Sequence, residues 1–209
     1  IEIILLLAGG MPLFDACVHA FGTAGTGGFS NRALSVGTYQ NAYYDIVIGV
    51  FMLLFGVNFN LYYFLLVRRF REVFRSEELR AYLLIVTASV LAITVNIVHI
   101  YGSAATSLRH AFFQVSSIIT TTGYSTVDFN TWPTFSKAIL VVLMFVGACA
   151  GSTGGGIKTT TFFVLLSGIY SAATNHSERA FHNAIPKDAF RKASVISILA
   201  VSYTHLTLP

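Results

Sequence analysis

Two short polar segments with a matching residue pattern lie 95 residues apart in this chain of 209 residues. The first reads Gly-Thr-Gly-Gly-Phe-Ser over 25–30, and the second reads Thr-Thr-Thr-Gly-Tyr-Ser over 120–125. Each follows an apolar run too short to cross a bilayer and precedes one that is long enough. Backbone carbonyl oxygens in such a segment can replace the hydration shell of an alkali cation. The pattern therefore predicts an ion-conducting filter.

The residue types in these segments suit a cation. Consecutive carbonyl groups point at one axis only if some residues adopt a positive φ, which Gly28 and Gly123 do at low cost. Thr26 and Thr121 can add hydroxyl oxygens at the inner end, and the aromatic residue after each glycine can wedge the loop against its surroundings. Neither segment contains Lys or Arg, which favours a cation over an anion. The predicted filter residues are Gly25, Thr26, Gly27, Gly28, Phe29, Thr120, Thr121, Thr122, Gly123 and Tyr124.

A glycine-rich segment follows the second filter segment and admits two interpretations. It resembles a phosphate-binding P-loop, but Ile157 intrudes between the last glycine and Lys158, and no acidic Mg²⁺ ligand stands out. We therefore predict neither nucleotide hydrolysis nor another enzymatic activity. The favoured interpretation is a small, polar loop inside a membrane span that gates the pore, with a simple kink as the alternative. Its predicted residues are Gly151, Ser152, Thr153, Gly154, Gly155, Gly156 and Lys158.

Composition predicts a membrane protein. Hydrophobic residues make up 55% of the chain and charged residues 11%, against about 25% charged residues in soluble domains. Basic residues cluster at 68–80 and 179–192, so the positive-inside rule places both connections in the cytoplasm. Asp15 and Asp128 flank the filters on the outer side, and we interpret them as solvated surface charges that could also concentrate cations. The two cysteines have no metal-ligand spacing, so an alkali cation at the filter carbonyls is the one metal considered.

The apolar runs predict an all-α fold of membrane spans and half-length helices. Spans are expected over 43–67, 81–102 and 135–173, the last interrupted by the glycine-rich segment. The runs 13–23 and 108–119 are long enough for helices of about 16 Å, which reach half way across a bilayer. Because the spans on either side fix both ends outside, these helices must dip into the membrane and return.

The order span, pore helix, filter and span defines a repeating unit. We predict a partial unit over 1–67 and a complete unit over 80–173. A cytoplasmic connection over 174–192 and the start of another span over 193–209 follow. The polar tail 202–209 fits that span poorly, and we interpret it as foreign sequence.

Two motifs give the chain a family resemblance. The segment 120–124 resembles the filter of potassium channels. The stretch from Phe112-Phe113-Gln114-Val115 to Thr122-Gly123-Tyr124, together with Gly147–Lys158, resembles the Trk/Ktr superfamily of potassium uptake proteins. The resemblance covers about residues 5–200. Two departures are visible: family chains are about twice as long, and Gly25 and Gly27 stand where the second filter has threonines.

The resemblance implies more than the residues alone. It implies a fragment of a pore made of four units, in which the glycine-rich loop is the gate. It also implies potassium ion uptake across the bacterial plasma (inner) membrane by a multi-pass protein, with K⁺ as the transported ion and no cofactor in this chain. The implied partners are membrane lipid, a second copy of the full-length chain and a cytoplasmic ring of nucleotide-binding regulatory subunits, with no nucleic acid. A secondary transporter with broken helices and alternating access is the alternative function.

Overall fold

The computed structural model describes residues 1–174, 179–180, 183–184, 191–195 and 197. Helices dominate these residues, so the predicted all-α fold class is confirmed. The helices are α1 (Glu2–Ala8), α2 (Leu13–Ala24), α3 (Ala42–Phe55), α4 (Phe59–Leu66), α5 (Phe70–Arg75), α6 (Glu77–Tyr101), α7 (Ala104–Ile119), α8 (Thr134–Phe145) and α9 (Thr159–Thr174). Short 3₁₀ helices lie at Ser35–Tyr39 and Phe129–Thr131, and two-residue strands β1 (Arg179–Ala180) and β2 (Asn183–Ala184) pair antiparallel.

Helix α6 is the longest apolar helix among the described residues. It has 25 residues, which is long enough to cross a membrane as one helix. Its N-terminus is capped by the Ser76 hydroxyl, which accepts a hydrogen bond from the Leu79 N–H at 3.3 Å. Its C-terminus ends at Gly102, whose φ of 65° stops the helix. The span expected over 81–102 therefore begins four residues earlier.

The span expected over 43–67 is not one straight helix. Helices α3 and α4 meet at an angle of 93°, with the break at residues 56–58. The Asn58 side chain accepts a hydrogen bond from the Asn60 N–H at 2.9 Å and so starts a new helix. By length and composition, the described residues hold one helix that could span a membrane. The number is two if α3 and α4 are counted as one bent span.

The two half-length helices that precede the filters are α2 and α7. Helix α2 occupies almost the predicted range, whereas α7 begins at Ala104 instead of 108. The prediction followed apolar character, and the first turn of α7 is small and polar. The run expected over 135–173 forms α8 and α9, which are separated by residues 146–158.

Helix α7 is the centre of the fold because it packs against helices of its own unit and of the first unit. Its residues Ala111, Val115 and Ile119 are buried in a cluster with α6 and α8. Phe113, on another face, is buried in the cluster of the first unit together with Ile48. This double packing fixes the second filter segment relative to the first. Most of 174–192 and the tail 202–209 lie outside the described residues, so the predictions for them stay predictions.

Candidate cation filter and its inner loop

The two filter segments leave their half-length helices by the same turn. In each segment, three successive N–H groups donate hydrogen bonds to carbonyl groups of the last helical turns. The pairs are Gly25 to Phe21, Thr26 to Thr23 and Gly27 to Gly22, and, 95 residues later, Thr120 to Ser116, Thr121 to Ile118 and Thr122 to Ser117. These six distances lie between 2.8 and 3.3 Å. The segments are thus structural equivalents as well as similar sequences.

Left-handed residues alternate along each segment. The φ angles are 49° at Thr26 and 65° at Gly28, and 57° at Thr121 and 89° at Gly123. Positive φ was expected at the glycines but not at the threonines, for which this region is sparsely populated. The threonine hydroxyls bond locally, since Thr26 Oγ1 donates to Gly25 O at 2.8 Å and Thr121 Oγ1 to Thr120 O at 2.7 Å. The repeat of a threonine two residues before each glycine is the sequence signal for this conformation.

The filter carbonyl groups are left without internal donors. Among the hydrogen bonds of the described residues, none ends on the carbonyl oxygens of Thr26, Gly27 and Gly28 or of Thr121, Thr122 and Gly123. The N–H groups of Thr26, Gly27, Thr121 and Thr122, in contrast, are bonded to the helices behind them. A polar backbone that satisfies its donors and leaves its acceptors open is suited to bind a cation.

The two segments touch each other through the backbone. A Cβ atom added to Gly28 would overlap the Thr122 carbonyl group, and it would lie 3.2 Å from the carbonyl carbon of Gly123. No atom of the described residues lies within 4 Å of the corresponding position on Gly123. The second segment therefore covers one side of the first, and its own equivalent side is open.

The aromatic residues of the two segments have different surroundings. Tyr124 is completely buried, and its single hydroxyl proton is shared between the carbonyl oxygens of His19 and Phe29, each at 3.2 Å. It thus wedges behind the first filter, as the sequence predicts for an aromatic residue here. Phe29 stands at the same place in the first segment but is 81% exposed. The wedge expected at Phe29 therefore stays a prediction.

The Tyr124 hydroxyl gives a first testable prediction. Tyr124→Phe should lower the cation selectivity of the pore severalfold, because it removes the shared hydrogen bond of about 1 kcal/mol that holds the first filter in place. Reversal potentials measured with the complete membrane protein that carries this sequence would check it. Tyr43→Phe is the matched control, since Tyr43 donates to Leu5 O at 2.9 Å away from the filters. Equal selectivity in the two variants would contradict the wedge.

Asp15 at the start of α2 is not a solvated surface charge. Only 3% of the residue is exposed. Its carboxylate accepts hydrogen bonds from Arg32 at 2.6 Å, from the Tyr39 hydroxyl at 2.6 Å and from Asn31 at 2.6 Å. All three donors follow the first filter segment, so Asp15 ties the chain after the filter to the helix before it. Asp128 is exposed and accepts from the Asn130 N–H at 2.9 Å.

This network predicts an effect on stability. Asp15→Ala should lower the free energy of unfolding by about 1–3 kcal/mol, because three hydrogen bonds to a charged acceptor are lost while the exposed donors Asn31 and Arg32 can bond to water instead. Thermal unfolding of the purified protein in detergent would measure the loss. Asp128→Ala removes an exposed carboxylate that also flanks a filter, and it should change stability little. A Tm for Asp15→Ala that matches the Asp128→Ala value would refute the network's role.

The loop between α8 and α9 lies directly against the inner end of both filters. The Gly155 N–H donates to Thr121 Oγ1 at 2.6 Å. Thr26 Oγ1 lies 3.0 Å from the Thr153 carbonyl oxygen, which shares the one hydroxyl proton of Thr26 with Gly25 O. Gly154 is buried, and a Cβ atom there would lie 3.2 Å from Thr120 O. The hydroxyls predicted at the inner end of the filters therefore contact this loop.

The sides of the loop are bonded to the break between α3 and α4. The Cys149 N–H donates to Gly56 O at 3.0 Å, and the Phe59 N–H donates to Gly151 O at 3.0 Å. At its base, the Gly147 N–H donates to Ile157 O at 2.8 Å, which closes the loop. The loop of the second unit is thus held against the bend of the first unit, and we call residues 56–59 of this bend the seat of the loop.

The remaining predicted loop residues hold its conformation. Gly151 and Gly156 both have φ of 71°, and Ser152 Oγ donates to Cys149 O at 2.6 Å. Lys158 Nζ donates to Gly154 O, so this side chain bonds the loop itself. The N–H of Gly155 is directed at the filter, and Ala150 N–H donates to Glu78 Oε1 at 2.6 Å. Because these donors are occupied, the loop does not form the phosphate cradle of the P-loop interpretation.

Glu78 is a functional candidate that sequence reasoning missed, and so is the contact of the Gly56–Asn58 break with the loop. Glu78 stood within an acidic and basic cytoplasmic stretch, which gave no reason to single it out. The break at Gly56–Asn60 was visible as a mild interruption, but nothing in the sequence indicated that it contacts the loop.

Comparisons with known proteins agree with this geometry. The family model described as "TrkH: Cation transport protein" matches residues 4–204. The chain is 41% identical over 159 residues to "Trk system potassium uptake protein TrkH" of Salmonella typhimurium and 39% identical over 158 residues to "Trk system potassium uptake protein TrkG" of Escherichia coli K12. These alignments cover 75% of this chain and 33% of each relative.

A solved structure is similar over almost the whole chain. The crystal structure of the potassium transporter TrkH from Vibrio parahaemolyticus matches with a TM-score of 0.82 and 27% sequence identity. The match covers 99% of this chain and 48% of that chain. The chain thus spans about a third of the curated relatives and about half of the solved one. Because the family model extends over nearly all of its residues, this chain belongs to the TrkH family of cation transport proteins.

Proposed function

We propose that this chain forms part of a channel-like pore for potassium ion uptake. The six carbonyl oxygens without donors, three in each filter segment, carry this proposal. They take the place of the hydration shell of K⁺ as the ion passes. The ion moves down the membrane potential, which contributes about 2.3 kcal/mol per charge per 100 mV.

The loop over 147–158 is the proposed gate. Support comes from its two contacts with the inner ends of the filters, through Thr121 and Thr26. Its backbone hydrogen bonds to the α3–α4 break hold this closed position. Opening requires these few bonds to break while the helices stay in place, since the loop is made mostly of small residues.

The proposed setting is the bacterial inner membrane, where the complete protein is multi-pass and surrounded by lipid. The open side of each filter segment, at Gly123 and at Phe29, is where further units of the pore are expected. We extend the proposal to a dimer of the complete protein and to cytoplasmic regulatory subunits that bind nucleotides. The basic stretch over 68–80 supplies a cytoplasmic surface for such contacts. The relatives are named as potassium uptake proteins and not as enzymes.

Growth rescue tests the proposed function. The complete protein that carries this sequence, expressed in a bacterium without potassium uptake systems, should restore growth at low K⁺. A strain that expresses the protein in its membrane and still fails to grow would overturn potassium uptake.

Electrical recording separates the pore from the alternating-access alternative. A pore gives single-channel currents, whereas a secondary transporter gives saturable flux with fixed coupling. The two filter segments lie side by side and leave their helices in the same way, which favours the pore. Strictly coupled flux without unitary currents would favour the alternative.

A further inference from the structure

We propose that Glu78 is a positioning residue that latches the inner loop to the cytoplasmic end of α6. Glu78 Oε1 accepts a hydrogen bond from the Ala150 N–H at 2.6 Å. The two residues are 72 positions apart in the chain, so this bond connects separate elements. Hydrogen bonds to a charged acceptor are about twice as strong as neutral ones.

The surroundings of Glu78 fit this assignment. The residue is half-buried in the first turn of α6, and the side chains of Asn58 and Lys158 neighbour its carboxylate. Asn58 belongs to the break on which the loop is seated, and Lys158 bonds to the loop at Gly154. The carboxylate therefore lies where the seat, the loop and α6 meet.

Glu78 also joins the loop to the basic cytoplasmic connection. Helix α5 ends at Arg75, and α6 begins two residues later at Glu77. Arg80 Nε donates to Phe74 O at 2.8 Å, which fastens the start of α6 to α5. A displacement of α5 is thus transmitted to residues 76–80 and from there to the loop through the Glu78 carboxylate.

The bond between Glu78 and the loop does not depend on whether the loop is a gate. Only the expected change in K⁺ flux rests on the proposed gate. Cys149 precedes Ala150 and is completely buried, so its reaction with a thiol reagent reports release of the loop. The experiment uses the complete protein in inside-out vesicles, with every cysteine other than Cys149 replaced. A membrane-impermeant methanethiosulfonate is added on the cytoplasmic side, and K⁺ flux is measured in the same preparation.

Glu78→Ala should raise the rate of Cys149 modification about tenfold, because a charge-assisted bond is lost. Glu78→Gln keeps a neutral acceptor and should raise the rate about threefold. Glu72→Ala is the matched control, since Glu72 is an exposed acidic residue in the first turn of α5. In this variant the rate of Cys149 modification should equal that of the parent protein. If Glu78→Ala does not give monodisperse protein, Glu78→Gln carries the comparison.

The two readouts separate the latch from the gate. A modification rate in the folded Glu78 variants that equals the Glu72→Ala rate would overturn the latch, whatever the flux. Faster modification with higher K⁺ flux supports both the latch and the gate. Faster modification with unchanged flux supports the latch and overturns the proposed role of the loop as the gate.

Discussion

Gly28→Ala should reduce potassium uptake about tenfold to a hundredfold. The added methyl group would overlap the Thr122 carbonyl group, which belongs to the second filter and cannot move aside without changing its own backbone. Overpacking of this kind costs about 1–3 kcal/mol. The residue also has a φ of 65°, which strains any residue with a side chain. Both effects act on the filter carbonyls, so conduction should suffer more than expression. Uptake of ⁸⁶Rb⁺ by cells that express the complete protein would measure the change.

Gly102→Ala is a close control for this substitution. Gly102 also has a φ of 65°, but in the part of the chain that the structure describes no atom lies within 4 Å of its Cβ position, and it is outside the filters. The two variants therefore share the backbone strain and differ in the overlap. Uptake by Gly102→Ala should stay near that of the parent protein. If both variants lose uptake to the same degree, the contact between the filter segments is not what matters.

Deletion of Ser152–Gly155 should raise basal potassium flux about tenfold. The deleted residues include Thr153 and Gly155, which contact the inner ends of the two filters at Thr26 and Thr121. Without them the proposed gate cannot reach the filter, because the remaining loop is too short. Flux into proteoliposomes without any regulatory partner would give the basal rate.

A double variant shows whether the added flux uses the same pathway. Gly28→Ala combined with the deletion should remove the increase, since the ions would still have to pass the altered filter. Flux that stays high in the double variant would mean that the deletion opens a leak elsewhere. Flux that the deletion leaves unaltered would argue against a gate.

Local sequence patterns were sufficient for the features that depend on one segment. Apolar run length predicts α2 to within one residue. It predicts the C-terminal end of α7, but that helix has 16 residues and so is about 24 Å long instead of the expected 16 Å. Glycine predicts the left-handed residues at Gly28 and Gly123. The repeat at an offset of 95 residues predicts that the two turns are equivalent, which the hydrogen bonds of both segments bear out.

Features that depend on distant contacts could not be read from the sequence. Tyr124 and Phe29 have the same position in the pattern, yet within the described residues Tyr124 is completely buried and Phe29 is exposed. Asp15 reads as a surface charge until the chain after the filter brings Arg32 and Tyr39 to it. The bend between α3 and α4 contacts the loop of the second unit through Gly56 and Phe59, and the sequence does not reveal that contact. In each case a partner far along the chain decides the outcome.

The most direct test of the account is to locate the ions. Crystals of the complete protein grown with Rb⁺ in place of K⁺ should give anomalous difference peaks beside the open carbonyl oxygens of Thr26–Gly28 and Thr121–Gly123. Peaks on an axis shared by the two segments are the predicted result. Filter carbonyls that bind no ion, while the peaks lie elsewhere in the membrane region, would contradict the central claim.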